Sequence, residues 1–382
     1  MNFLTLLKQE IRTFFTNKAV VLTVFGGVIF YSFLYPLPYA QQSPLEQKVS
    51  VVNLDNSAVS LKLERMVDAT PQVTITQRDH SVEAARLAFL DGKVSGILVI
   101  PENFYKDLML GISPTLAYAG DASYFLVYGT LVEGLAQTGA TLGAEVKISK
   151  MLSEGEPLIS ASNQYISVQS NLKPTFNPRM GYVDYVVPAV FVLILQQTLV
   201  MAAGLLVAAQ KQVSQSWSFK TQLTVLFVRT LLLMGIYLVM SSFYFGLSFS
   251  LHGINTLANP AELFALLTPF LLASCFIGYA LGLWVPRSEY VTVVVLISSM
   301  PLIFLAGFIW PPEMIPSALN WLAQLFPSTS AIPGFLSLNQ MGANWQQISS
   351  QFSQLWVLVV VWGLVATYQI IEPNKRASNL KH

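Results

Sequence analysis

The sequence has very few of the residues on which catalytic and metal chemistry depends. Its 382 residues include one cysteine and three histidines, and only 11% of them are charged. A soluble domain carries roughly 25% charged residues, so this composition excludes an ordinary soluble protein. The net charge of +1 excludes a strongly basic nucleic-acid binder. With a hydrophobic content of 53%, these shortages indicate an integral membrane protein.

Motifs for common reaction types are also missing. Cys275 lies inside an apolar run, where a buried thiol is the ordinary interpretation. His80, His252 and His382 are far apart and lack metal-ligand spacing. The sequence has no G-x-x-x-x-G-K-[ST] phosphate loop and no HExxH or GxSxG motif. We therefore expect no catalytic residue, no metal site and no cofactor site in this chain.

Six apolar segments are long enough to cross a bilayer, for which a helix needs about 20 residues. They are 19–39, 185–209, 223–251, 261–285, 290–310 and 353–371. A cleaved signal peptide is the alternative for the first segment. Its apolar stretch exceeds the usual length of roughly 7–15 residues, and Pro38-Tyr39-Ala40 is not a typical cleavage site. We expect an uncleaved membrane anchor.

Basic residues are distributed asymmetrically around these spans. The two short loops assigned to the outside, 252–260 and 311–352, contain no Lys or Arg. The positive-inside rule therefore predicts that both termini are cytoplasmic. The segments assigned to the inside carry Lys8, Arg12, Lys18, Lys211, Lys220, Arg287, Lys375, Arg376 and Lys381.

Residues 40–182, assigned to the outside, hold more than half of the charged residues and alternate between strand and helix patterns. This alternation predicts a small α/β domain, and its lack of cysteine excludes disulfides. Strands are expected at 48–54, 73–77, 94–100 and 114–120, and helices at 58–68, from Ser81 to Gly92, and over 101–110. A longer helix at about 123–150 has an apolar stripe that packs on its own domain or on a second copy: Tyr128, Leu131, Leu135, Leu142 and Val146.

The predicted spans contain almost no ionisable residues, although ion-coupled transporters normally keep some there. Asp184 and Glu262 are expected at outer ends that water reaches. Arg229, near the inner end of the third span, is expected to extend its side chain to the membrane surface; a substrate contact is the alternative. The polar clusters within spans are Gln196, Gln197 and Thr198, and Ser298 and Ser299. They either hydrogen-bond between helices or line a substrate pathway.

Two segments are predicted at the cytoplasmic face. Residues 1–18 contain an interfacial helix with an apolar side and a basic side; a simple basic topology signal is the alternative. The loop 210–221, QKQVSQSWSFKT, mixes aromatic and basic residues and suits lipid headgroups or a docked partner. The candidate coupling residues in the two segments are Lys8, Arg12, Lys211, Gln215, Trp217, Phe219 and Lys220.

Several stretches, in this order along the chain, resemble a known family. They are VSVVNLDNSAVS (49–60), GKVSGILVIPENF (92–104), FNPRMGYVDYVVPAVFVLILQQTLVMAAGLL (176–206) and LAGFIWPPEMIPSALNWLAQLFPSTSAIPGF (305–335). They are similar to type-2 ABC exporter permeases of the branch with a large extracytoplasmic domain between the first two spans. The resemblance implies a cytoplasmic ATPase that binds ATP and Mg²⁺, and a second permease that is identical or related. A periplasmic adaptor is a further candidate partner, beside the lipid bilayer itself.

The resemblance also implies that residues 311–336 form an outer re-entrant hairpin of short helices near the substrate exit. The residues agree, because prolines end the fifth span and begin a new helix, and tryptophans suit the headgroup level. A purely structural cap over the spans is the alternative. The hairpin residues are Gly307, Trp310, Pro311, Pro312, Pro316, Trp321 and Pro327.

Taken together, these patterns predict a mainly α membrane protein with six transmembrane helices and an inserted extracytoplasmic α/β domain. The expected segments are 1–18, 19–39, 40–182, 183–372 and a cytoplasmic tail, 373–382. The expected function is that of a permease subunit exporting an amphipathic or apolar substrate, drug-like or lipid-linked, with energy from a separate ATPase. A non-transporting membrane-anchored sensor or assembly scaffold is the alternative.

One feature departs from the family pattern. The loop after the second span usually carries an acidic residue and a Gly-Thr step ahead of the helix that meets the ATPase, and 210–221 has neither. We therefore expect either that the ATPase docks mainly on the N-terminal interfacial helix, or that the partner ATPase is itself divergent.

Overall fold

The chain divides into two compact units. Met1–Ala40 and Pro174–His382 form one, called here the membrane unit, and Gln41–Lys173 form the other, called the α/β unit. The computed structural model describes residues 3–40, 44–165, 175–177, 179, 181–214 and 217–379. Most of these residues are helical, and the strands form one small mixed sheet. The predicted mainly α fold is therefore confirmed.

The membrane unit begins with an N-terminal helix followed closely by the first candidate span. The helix α1 (Phe3–Thr16) ends before Asn17, whose side chain accepts a hydrogen bond from the backbone of Val20 and so caps the next helix. The candidate span Lys18–Tyr39 contains α2 (Lys18–Val21), a π-helical turn (Leu22–Gly27) and α3 (Val28–Leu34).

The α/β unit contains four strands close to their predicted positions. They are β1 (Gln47–Asn53), β2 (Val73–Arg78), β3 (Gly96–Ile100) and β4 (Ala117–Gly120). The strand order is β2-β1-β3-β4, with β1 parallel to both neighbours and β4 antiparallel to β3. The fourth strand is shorter than expected, since it begins only at Ala117.

Short helices connect these strands as the alternating pattern predicts. They are α4 (Ala58–Asp68), α5 (Val82–Leu90) and α6 (Phe104–Leu110). The hydroxyls of Ser57 and Ser81 accept hydrogen bonds from the backbone N–H three residues further on. These bonds satisfy N–H groups that a helix start leaves unpaired, which explains why α4 and α5 begin there.

The long helix α7 (Phe125–Ser153) packs on its own unit. Its residues Leu131, Leu135 and Leu142 are buried in one core with residues of β1, β2 and β3, whereas Tyr128 is 37% exposed. Core packing, one of the two predicted roles for this stripe, is therefore confirmed for the three leucines. A final helix in this unit is α8 (Leu158–Tyr165).

Four more candidate spans follow in the membrane unit: Val186–Lys211, Phe219–Leu251, Pro260–Trp284 and Trp345–Ile371. The first lies within α9 (Val186–Ser214). The second contains α10 (Phe219–Ser242), a π-helical turn (Phe243–Ser248) and α11 (Phe249–Leu251). The third is α12 (Pro260–Trp284). The described part of the chain therefore has five helices long and apolar enough to cross a membrane.

The helix at the expected fifth span is shorter than predicted. This helix, α13 (Glu289–Leu305), has 17 residues. It is about 26 Å long at 1.5 Å per residue, against roughly 30 Å for the hydrocarbon core. The predicted end at residue 310 is wrong because the chain turns at Gly307, whose φ of 80° suits only glycine without strain. Its passage through the membrane, as a sixth span, stays a prediction.

Short helices follow α13, as the hairpin prediction requires. A 3₁₀ turn (Pro312–Met314) leads to α14 (Ser317–Ala323) and α15 (Pro327–Asn339). Pro327 is the first residue of α15, where the missing N–H of proline removes no helical hydrogen bond. Nearly all of α15 is buried. The last helix is α16 (Ser349–Asn379), preceded by a 3₁₀ turn (Trp345–Ile348).

Helices α9 and α12 approach each other closely at glycines. A Cβ atom on Gly278 would lie 2.6 Å from the carbonyl oxygen of Val200, and one on Gly282 would lie 2.5 Å from that of Gly204. Small residues four positions apart permit such backbone proximity between membrane helices. Any residue larger than glycine at these two positions would force the backbones of α9 and α12 apart.

Candidate functional site

An apolar cavity of about 390 Å³ lies among helices of the membrane unit. Its walls come from α9, α12, α13 and α16, and from Phe326 just before α15. None of the described residues that line it carries a charge. Small-molecule sites usually measure about 300–1,000 Å³ and are mostly apolar, with few polar groups. The cavity therefore has the size and character of a site for a small apolar or amphipathic molecule.

The polar residues of this lining are three glutamines and one serine, and two tryptophans add their indole N–H groups. The side-chain oxygen of Gln196 accepts a hydrogen bond of 2.6 Å from the backbone N–H of Ser328. The hydroxyl of Ser298 donates to the carbonyl oxygen of Val295 at 2.9 Å. By contrast, Nε2 of Gln197 and Oε1 of Gln369 are buried and have no hydrogen-bond partner within the described residues. Unpaired buried polar atoms are uncommon in proteins.

Three of the five predicted pathway residues meet at this cavity. Gln196, Gln197 and Ser298 line it. Thr198 and Ser299 do not, and each donates to a carbonyl one turn earlier in its own helix, at 2.7 and 2.8 Å. Gln196 lines the cavity and also accepts a hydrogen bond from α15, so it has the interhelical role that the sequence left open; a role in a substrate pathway stays a prediction.

The segment that joins α14 and α15 lies at the edge of the cavity. Phe326 contributes to the lining, and Nε1 of Trp362, another lining residue, donates a hydrogen bond of 2.9 Å to the carbonyl oxygen of Leu325. Trp310 and Trp321 are 54% and 78% exposed, as expected of tryptophans at the headgroup level. The segment between the two short helices therefore borders the cavity.

A second candidate site joins the two predicted coupling segments. Leu6 and Leu7 of α1 pack with Trp217, which precedes α10, and with Val225 and Val228 of α10. We call these five residues the N-terminal cluster. The cluster therefore includes residues of both the N-terminal helix and loop 210–221, which the sequence did not predict.

A buried ion pair lies beside the N-terminal cluster. Arg229 of α10 donates to both carboxylate oxygens of Glu10 in α1, from Nε at 2.6 Å and from Nη2 at 3.1 Å. Its Nη2 also donates to Oε1 of Gln210 in α9. Arg229 and Glu10 are each only 2% exposed. One guanidinium therefore joins α1, α9 and α10 through hydrogen bonds in a water-poor environment.

This arrangement corrects one sequence prediction. Arg229 was expected to extend to the membrane surface, and it is instead buried because Glu10 neutralises it. The face of α1 that packs on the protein consists of Leu6, Glu10 and Phe14. Apolar residues elsewhere on α1, including Phe3, Leu4 and Phe15, are exposed; the interfacial position of this helix stays a prediction.

Lys211 has a specific role at the end of α12. Its Nζ donates to the carbonyl oxygens of Leu283 and Val285, at 2.5 and 3.1 Å. Because the last carbonyls of a helix lack helical partners and carry a partial negative charge, the lysine caps this end. The other coupling candidates Lys8, Arg12, Phe219 and Lys220 are exposed, and Gln215 lies outside the described residues.

Asp184 is also less accessible than predicted. It is 6% exposed and accepts hydrogen bonds from Nε of Arg179, at 2.7 Å, and from Nη2 of the same residue. The guanidinium donates further to the carbonyl oxygen of Gly253 at 2.8 Å. The hydrogen bond to Asp184 raises the pKa of Arg179 above its ordinary value. This pair fixes the start of α9 to the loop that follows α11.

Sequence reasoning missed Glu10, Gln210 and Gln369. Glu10 has a signal, since it lies four residues after Leu6 and four before Phe14, on one face of the helix. Gln369 also has one, because it is an amide within the last predicted apolar span. Among the described residues, no group of three or more His, Cys, Asp or Glu is arranged to hold a metal ion.

Five membrane-length helices, with an uncharged cavity among helices of the same unit, define a multi-pass membrane protein. The family model described as "ABC-2 family transporter protein" matches residues 18–368, and the chain belongs to this family. It is therefore a transmembrane permease component of an ABC transporter, whose ATPase component is a separate partner. No curated protein matches the chain.

Proposed function

We propose that this chain is the permease subunit of an ATP-driven exporter that moves an amphipathic or apolar molecule, drug-like or lipid-linked, outward across the bacterial inner membrane. The cavity among α9, α12, α13 and α16 is the observation that carries this proposal, because its described lining has no charge. A charged cargo would lose its hydration there without gaining a counter-ion, which costs several kcal/mol. An apolar cargo incurs no such cost.

Energy enters this proposed mechanism from the partner ATPase, which would bind ATP and Mg²⁺. The N-terminal cluster supports a route for the resulting motion. Leu6 and Trp217 belong to the two segments that the sequence assigns to the cytoplasmic face, and they pack together. Movement of the ATPase against this cluster would be transmitted to α10 and α9 through Arg229, since its hydrogen bonds join them to α1.

The proposed assembly contains two permeases, identical or related, and two ATPase subunits, with a periplasmic adaptor as a further candidate partner. Both termini would be cytoplasmic and the α/β unit extracytoplasmic. The absence of Lys and Arg from 252–260 and 311–352 supports this orientation. The exposed apolar residues Leu296, Ile297 and Met300 of α13 support contact with lipid or with the second permease.

Purification of the tagged full-length chain from its native membrane in mild detergent tests the proposal. We expect an ATPase subunit in about equal amount, identified by mass spectrometry. After reconstitution into liposomes, the complex should move a fluorescent amphipathic dye only when ATP and Mg²⁺ are present. A chain that purifies alone would support the sensor or scaffold function instead, and strict transport of small ions would refute the proposed cargo class.

A further inference from the structure

The cavity contains a buried hydrogen-bond donor and a buried acceptor that the described protein leaves unused. These are Nε2 of Gln197 and Oε1 of Gln369, on α9 and α16. We propose that the cavity recognises an uncharged amphiphile through a polar group that both donates and accepts hydrogen bonds, an amide or a hydroxyl, held between Gln197 and Gln369. This inference rests on the proposed function and specifies the chemistry of its cargo.

Three other polar residues of the lining, Gln196, Ser298 and Trp362, already make a hydrogen bond to the protein. The oxygen of Gln196 accepts the backbone N–H of Ser328, and the hydroxyl of Ser298 donates within its own helix. Recognition of a polar group would therefore fall mainly to Gln197 and Gln369. A carboxamide presents either its N–H₂ or its C=O when it rotates about its last side-chain bond. The two glutamines can thus adapt to a ligand that enters in either direction.

The same arrangement disfavours two other occupants. A plain hydrocarbon chain would fill the volume but leave both amide atoms unpaired, which is costly in a buried site. A charged headgroup would need a counter-charge, and the described lining supplies none. The favoured occupant is consequently neutral, with an apolar body that contacts residues such as Ala280, Val295 and Leu302.

Two lining tryptophans make binding measurable without transport. Trp284 is 73% exposed and Trp362 is partly buried, and both line the cavity. Bromine atoms quench tryptophan fluorescence when they come close to the indole ring. The probe is a dibrominated stearamide, added to the purified full-length chain in lipid nanodiscs without ATPase. The comparison probes are the dibrominated octadecane and the ionised dibrominated stearate.

The test uses Gln197→Leu and Gln369→Leu, which replace an unpaired amide by an apolar side chain of similar size. Gln346→Leu makes the same chemical change at an exposed position outside the cavity lining. Ala280→Phe fills the cavity and should abolish saturable quenching by every probe. Thermal unfolding of each variant identifies any that fail to fold, and Gln197→Leu and Gln369→Leu should unfold no earlier than wild type because no hydrogen bond is lost.

We expect the stearamide probe to bind wild type about tenfold more tightly than either comparison probe, as one or two net hydrogen bonds predict. Gln197→Leu and Gln369→Leu should each weaken its binding roughly three- to tenfold, and Gln346→Leu should not. Equal binding of amide and hydrocarbon, tighter binding of stearate, or unchanged binding in both cavity variants would overturn the inference. The proposed export function fails separately, if the complex moves no dye although the amide binds.

Discussion

Glu10 and Arg229 lie 219 positions apart in the chain and form a buried ion pair, with Nε of Arg229 2.6 Å from Oε2 of Glu10. The pair fixes the N-terminal helix to the third candidate span at a point that water scarcely reaches. Removing one member of such a pair leaves an uncompensated buried charge, whereas replacing both members with apolar residues is often neutral. Single and double variants therefore separate two free energies: the cost of an unpaired buried charge, and the net stabilisation that the ion pair provides.

We expect Glu10→Leu or Arg229→Leu to destabilise the membrane unit by about 3–5 kcal/mol, the usual cost of an unpaired buried charge. The double variant should recover most of this loss. Thermal unfolding of the purified protein in detergent measures both effects. Arg12→Leu, at an exposed position of α1, is the control and should change stability by less than about 0.5 kcal/mol. Additive losses in the double variant would contradict the ion-pair explanation.

Gly282→Ala and Gly278→Ala should separate α9 from α12. An added methyl group would lie 2.5 Å or 2.6 Å from a backbone oxygen of α9, so the helices must move apart and lose packing, at a cost of about 1–3 kcal/mol. Gly235→Ala is the matched control, because no atom lies within 4 Å of its added methyl group. We expect the first two variants to unfold at a lower temperature than wild type, and the control to unfold at the same temperature as wild type. Equal temperatures for all three would refute the close approach.

Lys211→Met should weaken the end of α12, because the carbonyl oxygens of Leu283 and Val285 lose a charged donor. Hydrogen bonds to charged groups contribute about 1.5–3 kcal/mol. Lys220→Met, at an exposed position, makes the same chemical change without removing such a cap. Unfolding temperature in detergent should fall for the first variant only. A similar fall in both would show that the loss reflects net charge and not the cap.

The α/β unit should depend on pH through Asp79. Its carboxylate accepts hydrogen bonds from the hydroxyl of Ser50, at 2.6 Å, and from the side chain of Gln77. These bonds, that of Ser50 foremost, lower the pKa of Asp79 below its ordinary value. Because the folded pKa is below the unfolded one, the stabilisation is present above about pH 4. It disappears as the pH falls through the folded pKa.

Ser50→Ala should therefore increase amide hydrogen exchange in β1 and β2 relative to wild type at pH 7, and the difference should shrink as the pH falls below about 4 and through the folded pKa of Asp79. Comparing the two proteins at each pH removes the intrinsic dependence of exchange on pH. Thr76→Ala, at an exposed position of β2, is the control. A difference between wild type and Ser50→Ala that does not shrink as the carboxylate of Asp79 becomes protonated would show that the serine acts through packing alone.

Features set by local chemistry could be predicted from the sequence, and features set by long-range packing could not. The helix starts at Ser57 and Ser81 follow from side chains that cap their own backbone, and both were predicted. The burial of Arg229 depends on Glu10, in a helix more than two hundred residues earlier. A single sequence contains no signal for that pairing. The prediction that Arg229 extends its side chain to the membrane surface was therefore wrong.

The candidate cavity shows the same division. Gln196, Gln197 and Ser298 could be found because polar residues are rare within apolar spans and so stand out. Which of them face the cavity depends on how α9 and α13 are rotated, which periodicity alone does not determine. The length of α13 was overestimated because its apolar run continues past Gly307, and only backbone geometry shows that the helix has ended.

The glycine contacts between α9 and α12 make the two sides of the cavity unequal. Those helices are held together where no side chain separates their backbones, whereas α13, which also lines the cavity, has only three buried side chains among its described residues, Val291, Val295 and Leu302. If the cavity binds a guest molecule as proposed, we therefore expect its exchange with the surrounding lipid to be easier past α13. Changes in the apolar side chains of α13 would then alter how long the guest molecule stays in the cavity. They would leave α9 and α12 in place, together with Gln196 and Gln197 of α9.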